Sequence, residues 1–261
     1  MSREPADWPS KRVIITAAAT GIGLAIAKTF HALGAQVWIS DITADKLDEA
    51  KAAMPGCGAM LCDVAKPDQV DAFVAAAAKA MGGIDILINN AGIAGPAMPL
   101  EEITTDQWEQ VMAVNVNGQF FAARACIPHL KAAGGGSIIC VASVAGKYAF
   151  ALRSPYATSK AAVIALARTL SVELGPHKIR VNAIAPGPVS GERITRVVTE
   201  RAATRGISYA EMEAIALKAV SLKTMIDPEE IADMIVFLCA PTGRAITGQV
   251  HSVCGGLEYA E

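Results

Sequence analysis

Short runs of β-branched and apolar residues alternate with longer stretches of helical periodicity along almost the whole chain, and few folds accept that pattern. Residues 13–15 lead into a helix expected over 21–33, residues 36–39 precede one over 44–53, and residues 59–61 precede one over 67–81. A fourth strand is expected at 84–88, a helix at 104–130, a strand at 137–141, a helix at 155–174 and a strand at 179–184, with the last strand in the 246–253 region. Strands that alternate with helices lie parallel, because the helices are the crossovers that cover both sheet faces. Uninterrupted apolar runs such as Ile86-Leu87-Ile88 and Ile138-Ile139-Cys140-Val141 fit strands buried on both sides. The expected fold class is α/β, a single-domain doubly wound parallel sheet with helices on both faces. No repeat, low-complexity block or composition break divides residues 1–261. One segment departs from the scheme: 190–223 is amphipathic and follows the rigid turn Pro186-Gly187-Pro188, an insert of the kind that forms a lid over a site.

With 52% hydrophobic and 18% charged residues the chain can bury a large core, and its formal net charge of −2 comes from interspersed signs. No basic stripe argues for nucleic acid or an anionic membrane. The cysteines at 57, 62, 126, 140, 239 and 254 form no Cys-x-x-Cys pair, and the histidines at 31, 129, 177 and 251 have no metal-ligand spacing, so no metal is expected. Thiols within apolar runs read as buried and free, which fits a reducing compartment. The first residues carry charges and prolines without an apolar h-region, and the stretch 132–152 is broken by Gly134-Gly135-Gly136 and Lys147. A soluble, cytoplasmic protein is expected.

Tyr156 and Lys160 are four residues apart, which on a helix puts phenol and ammonium on one face. A phenol titrates near ~10 and is a poor base at neutral pH; lowering it by about three units requires ~4 kcal/mol. One cation ~4 Å away at an effective dielectric near 20 provides about 4 kcal/mol. The pair therefore has the magnitude needed for an acid/base. Ser143 lies thirteen residues upstream, at the end of an apolar run.

Directly after the first strand, Thr16-Ala17-Ala18-Ala19-Thr20-Gly21-Ile22-Gly23 opens a helix. Glycines there let backbone approach a pyrophosphate, and a helix N-terminus offers unpaired N–H groups and a positive dipole end. Asp41 ends the second strand about twenty residues past that turn. A carboxylate there accepts from both adenosine ribose hydroxyls and repels a 2′-phosphate, and its neighbours Ser40 and Ile42 are not basic. NAD is preferred over NADP, in a Rossmann-type domain.

These residues, with Asp63-Val64 after the third strand, Asn89-Asn90-Ala91-Gly92 after the fourth, Asn115, Ser143, Tyr156, Lys160 and Pro186-Gly187, occur in the order of the short-chain dehydrogenase/reductase family. The chain resembles that family from Val13 to about Gly256. The resemblance implies that Tyr156 transfers a proton to or from the substrate oxygen, Lys160 lowers its pKa and holds the nicotinamide ribose, and Ser143 hydrogen-bonds the substrate oxygen. It also implies that Asn115 holds a water linking Lys160 to solvent. Asp63 and Val64 flank the adenine, Asn90 and Ala91 line the ribose channel, and Val189 holds the carboxamide through its backbone. Gly21, Ile22 and Gly23 form the pyrophosphate turn. The implied reaction is NAD-dependent interconversion of a secondary alcohol and a ketone.

Three positions depart from the family pattern. Ala17 stands where glycine is usual, Gly191 where many members have threonine (with Ser190 a possible stand-in), and Cys254 where aspartate is common. Specificity is expected from the loops 94–99 and 147–153 and the insert after Pro188, with Lys147, Arg153 and Arg193 as candidate anchors for an anionic group. Ala161, Ala162, Ala165, Leu166 and Leu170 mark a possible subunit contact on the Tyr156 helix, and the resemblance implies a homotetramer. The alternatives are a non-catalytic dinucleotide-binding sensor of the same fold, an NADPH-dependent 3-oxoacyl-type reductase, and a sugar-nucleotide epimerase or dehydratase. That last group needs a sizeable C-terminal substrate domain, whereas about 75 residues follow Pro186.

Overall fold

Both odd and even positions of the inner strands are apolar, so each strand must be covered twice. The structure, a computed structural model, describes residues 7–257 apart from the side chains of Arg193, Arg201 and Thr204. The strands are β1 (Arg12–Ile15), β2 (Gln36–Asp41), β3 (Gly58–Leu61), β4 (Ile86–Asn89), β5 (Gly136–Val141), β6 (Ile179–Pro186) and β7 (Val250–Val253). They form one seven-stranded sheet in the order β3-β2-β1-β4-β5-β6-β7, and every pair is parallel. On one face Ile14, Leu87, Ile138 and Val181 meet Phe73 of α3 (Pro67–Met81), Leu130 of α5 (Gly118–Ala132) and Val163 of α6 (Ser154–Leu174). On the other, Ile15, Ile88, Ile139 and Ile184 meet Phe30 of α1 (Gly21–Ala32), Leu47 of α2 (Ala44–Ala53) and Ile235 of α9 (Pro228–Cys239). The expected single-domain doubly wound sheet is observed.

The chain runs from β1 outward to β3, then crosses back and lays β4 on the other side of β1. The connections after β1 and β4 therefore diverge, leaving a crevice at the carboxyl ends of these two strands, where open α/β sheets bind ligands. At the opposite end of the same strands the sheet is closed. Arg12 donates through Nε and Nη2 to both oxygens of Asp85, at 2.7 and 2.8 Å.

The helix expected over 104–130 is divided. Thr104 caps α4 (Thr105–Met112) through a capping box with Gln107, residues Ala113–Asn117 form a π turn, and α5 follows. The cause is Asn115. Its fully buried amide must find partners, and the widened turn delivers it to the backbone of Ile93. Periodicity alone does not register one extra residue in a turn.

The segment after Pro188 holds α7 (Glu192–Arg205) and α8 (Tyr209–Leu217), joined by a small apolar cluster of Val198, Ala202 and Met212 with Ile194, Ile207 and Met225. Its two stems are paired: Ile226 N–H donates to Pro188 and Ser190 N–H donates to Ile226.

Candidate active site

The crevice is built first by backbone. Thr16 N–H donates to the Ile88 carbonyl, and Thr16 Oγ1 accepts from the N–H groups of Asn90 and Ala91, so the ends of β1 and β4 share one residue. Asn90 Nδ2 donates back to the carbonyls of Thr16 and Ala17, at 3.1 and 2.7 Å. Those bonds hold Ala17 at φ 52, the left-handed region that costs a residue with a Cβ about 1–2 kcal/mol. Alanine in place of the usual glycine thus keeps the turn's shape under strain.

That shape fits a pyrophosphate. Gly21 has φ +55, and nothing lies within 4 Å of where its Cβ would stand. A Cβ on Gly23 would come within 2.3 Å of the Ala17 carbonyl and 2.6 Å of Asn90 Nδ2, so only glycine lets α1 start so close to the turn. No side chain caps α1, so its first N–H groups and dipole face the crevice with Ile22 between the two glycines. Asp41 closes the outer side. Its Oδ2 accepts from Ala19 N–H, and its Oδ1 accepts from Ile42 and Thr43 N–H. The cap residue of α2 is Thr43, so Asp41 fixes its carboxylate beside the glycine turn and does not cap that helix. At the next strand end, Asp63 Oδ1 accepts from Ala65 N–H, and Val64 is buried against Gly118, whose Cβ would stand 2.8 Å from a Val64 methyl.

The chemical groups converge from β5, the π turn and α6. Tyr156 lies in the first turn of α6 and Lys160 one turn on, as the spacing predicts. Lys160 is 3% exposed, and its Nζ donates to the Val141 carbonyl at 2.9 Å. A Cβ on Gly92 would stand 3.0 Å from that Nζ, so the glycine makes room for the amine. Asn115 Oδ1 accepts from Ile93 N–H, while Nδ2 donates to the Ile93 carbonyl and to Ser159 Oγ. Ser159 in turn donates to the Tyr156 carbonyl at 2.7 Å. Both amide protons of Asn115 are thus committed to protein groups. Ser143, 8% exposed, accepts from Ala145 N–H and so caps the turn after β5, with its hydroxyl proton left to donate.

Two cations flank the phenol. Lys160 Nζ is 5.8 Å from the Tyr156 ring centre and the Arg153 guanidinium carbon is 5.2 Å away. Cys140 beside this site is held as the thiol, because burial pushes it up to about 12 despite a hydrogen bond from Asn89 and the charge of Lys160.

Val189 sits on the paired stem after β6. The stem bonds engage the Pro188 carbonyl and the Ser190 N–H, leaving the N–H and carbonyl of Val189 directed away from Ile226. The Ser190 hydroxyl donates to Asp227, so its proton is not available to stand in for the missing threonine at Gly191. Among the anchors read from sequence, Lys147 donates to Ser252 Oγ and lies over the Tyr148 ring, Arg153 lies against Tyr156, and the side chain of Arg193 falls outside the described residues. Three contributors were not read from sequence. Thr16 joins the strands, Ser159 links Asn115 to Tyr156, and Gln119 Nε2 shares the Val141 carbonyl with Lys160. The signal for the first two was adjacency to a motif, at the strand end and beside Lys160.

Among the described residues no group of His, Cys, Asp or Glu could hold a metal ion, and no helix is long and apolar enough to cross a membrane. The family model described as enoyl-(acyl carrier protein) reductase matches residues 16–258. Galactitol 2-dehydrogenase of Agrobacterium fabrum is 39% identical over 249 residues, 95% of this chain and 97% of that protein. The dehydrogenase/reductase SDR family member 4 of Oryctolagus cuniculus is 33% identical over 251 residues, 95% and 93% of the two chains. Among solved structures, NAD+-bound xylitol dehydrogenase superposes with a TM-score of 0.91 at 28% identity, covering 96% of this chain and 100% of the other. A variant of actinorhodin polyketide ketoreductase with NADPH gives 0.91 at 28% identity, covering 95% and 98%.

Proposed function

Because the chain belongs to the short-chain dehydrogenase/reductase family, we propose that it is an NAD-dependent oxidoreductase interconverting a secondary alcohol and a ketone, with Tyr156 as the acid/base. The observation that carries the reading is the buried ammonium of Lys160, held one helical turn from Tyr156 beside the crevice between β1 and β4. Relatives named for galactitol and xylitol dehydrogenation support an alcohol substrate.

A bound nicotinamide dinucleotide supplies the hydride acceptor for oxidation and the donor for reduction. Gly21, Ile22 and Gly23 with the α1 terminus hold its pyrophosphate, Asp41 its adenosine ribose, and Asp63 and Val64 its adenine. Asn90, Ala91 and Lys160 line the nicotinamide ribose channel, and the free backbone of Val189 meets the carboxamide. In oxidation the Tyr156 phenolate accepts the hydroxyl proton as the carbinol hydride departs, and in reduction the phenol returns it. Ser143 donates to the substrate oxygen, which fixes the carbinol carbon. Asn115 and Ser159 hold the backbone of Tyr156, and Asn115 holds a water linking Lys160 to solvent.

The fixed carboxylate of Asp41 supports NAD over NADP; the NADPH in the ketoreductase relative is the observation that favours a 3-oxoacyl-type reductase instead. The segment 190–223 serves as the substrate lid. A homotetramer is supported by the exposed Phe120 on α5 and Val172 on α6, beside exposed Ala161 and Ala165. Leu170 does not join that face, since it packs in the sheet core. A soluble cytoplasmic location fits the free cysteines. The reading is tested by screening secondary alcohols with NAD and ketones with NADH. Turnover of a polyol or hydroxy compound with NAD supports it; binding of NADH with no turnover of any alcohol or ketone indicates a sensor.

A further inference from the structure

Gly191 follows a backbone course that disfavours any side chain. Its φ of 128 and ψ of 178 fall in a region open essentially to glycine alone, and nothing lies within 4 Å of where a Cβ would stand. Crowding does not exclude threonine from this position; the backbone does. The residue before it is tied down instead. Ser190 N–H donates to the Ile226 carbonyl and Ile226 N–H to the Pro188 carbonyl, both at 2.8 Å, and the Ser190 hydroxyl donates to Asp227 Oδ1, also at 2.8 Å. Ile226 is 3% exposed and shares a core with Val189, with Ile26 and Phe30 of α1, and with Ile231 of α9. Asp227 is the N-cap residue of α9, and α9 packs along α1. The stem that carries Val189 is thus fastened to the body that opens with the turn of Gly21 and Gly23.

We infer that Ser190 and Asp227 are positioning residues for the nicotinamide end of the cofactor. Their bond fixes the Val189 backbone that meets the carboxamide, in place of the direct hydroxyl contact that Gly191 does not make. The reason is local. A backbone donor and acceptor recognise a carboxamide only while their peptide planes keep one orientation. Pro188 sets that orientation on one side of Val189, because its ring locks φ. On the other side stands Gly191, whose wide conformational range would pass the motion of α7 back along the chain. The Ser190 hydroxyl on Asp227 lies between the two and isolates Val189 from that freedom. Asp227 is exposed, so water competes for the bond and the effect of losing it is modest. Because α9 packs along α1, the pin also sets the distance between the carboxamide contact and the pyrophosphate turn.

The inference rests on Val189 meeting the carboxamide, and the test separates the two. Dissociation constants are measured for NADH by fluorescence and for ADP-ribose, which lacks the nicotinamide, by calorimetry. Ser190→Ala is expected to weaken NADH binding about five-fold and to leave ADP-ribose within about two-fold of wild type. Asp227→Asn keeps an acceptor oxygen and suits the N-cap position, so its NADH affinity should stay close to wild type. Asp227→Thr also suits that position, but its shorter side chain withdraws the acceptor, so it should reproduce Ser190→Ala. Combined with Ser190→Ala it should add less than about two-fold. Equal losses for NADH and ADP-ribose overturn the inference, because the bond would then serve the stem's stability alone. Unchanged NADH affinity in Ser190→Ala overturns it too, as does a loss in Asp227→Thr that adds in full to that of Ser190→Ala. A wild type that binds ADP-ribose as tightly as NADH overturns the carboxamide reading of Val189 itself.

Discussion

The two ends of the β1/β4 pair are built from the same strands and do opposite things. At the amino end, Arg12 and Asp85 satisfy each other through a bidentate pair, and Arg12 also donates to the Gly82 carbonyl. At the carboxyl end, Thr16 and Asn90 satisfy each other's backbone but hold Ala17 in a strained conformation, and α1 begins with no cap. One end has closed its polar groups; the other has arranged them so that donors remain for a ligand. The proposed function is located where the sheet's hydrogen bonding is left incomplete.

That contrast can be broken by substitution at either end. Asp85→Asn should have the largest effect on stability, about 2–3 kcal/mol, because it leaves a half-buried guanidinium without its counter-charge and weakens its charge-assisted hydrogen bonds, with little change in kcat/KM. Burial pushes the Asp85 carboxyl up, but its hydrogen bonds and the charge of Arg12 outweigh this and hold it below the usual carboxylate range. The stabilisation is therefore complete above the ordinary carboxylate value and is lost as pH falls through the lower folded one. Denaturation curves of wild type and variant should converge in acid. A loss that persists undiminished at low pH would contradict the pairing.

At the open end, Asn90→Ala should cost about 2 kcal/mol by releasing the carbonyls of Thr16 and Ala17, and unlike Asp85→Asn it should weaken NADH binding, by about ten-fold, in a fluorescence titration. Equal NADH affinities in the two variants would erase the distinction between the ends. Asp41→Ala should reduce the preference for NAD over NADP by roughly ten-fold, or about 1.4 kcal/mol; an unchanged ratio of kcat/KM values would remove Asp41 from cofactor selection. The smallest effect belongs to Ala17→Gly. It relieves the left-handed strain but frees the unfolded chain, for a net gain of about 0.5–1 kcal/mol, measured as a rise in thermal midpoint.

The sheet was legible because burial on both faces requires apolar residues at consecutive positions, and the short runs 86–88 and 138–141 have the length of strands. The expected bounds of α2 and α3 match the structure, since Pro67 and the change in periodicity mark them locally. The Tyr156–Lys160 face follows from one turn of helix. The π turn was hidden because its cause, the pairing of Asn115 with Ile93 and Ser159, joins residues far apart in the chain. Arg180 shows the same limit. It read as a strand residue, yet it donates to Ser137 Oγ and to the carbonyls of Gly243, Ile246 and Cys239, and so ties β5 and β6 to the chain before β7. Arg153 was read as a candidate anchor for an anionic group, and its place over the Tyr156 ring was not legible in the sequence.

The central claim is that a phenol beside a buried ammonium performs the proton transfer, and a single substitution tests it most directly. In Tyr156→Phe, turnover of an alcohol that the wild type oxidises should fall at least about a thousand-fold, while the dissociation constant for NADH stays within about two-fold of wild type. Turnover near the wild-type rate in that variant would contradict the account.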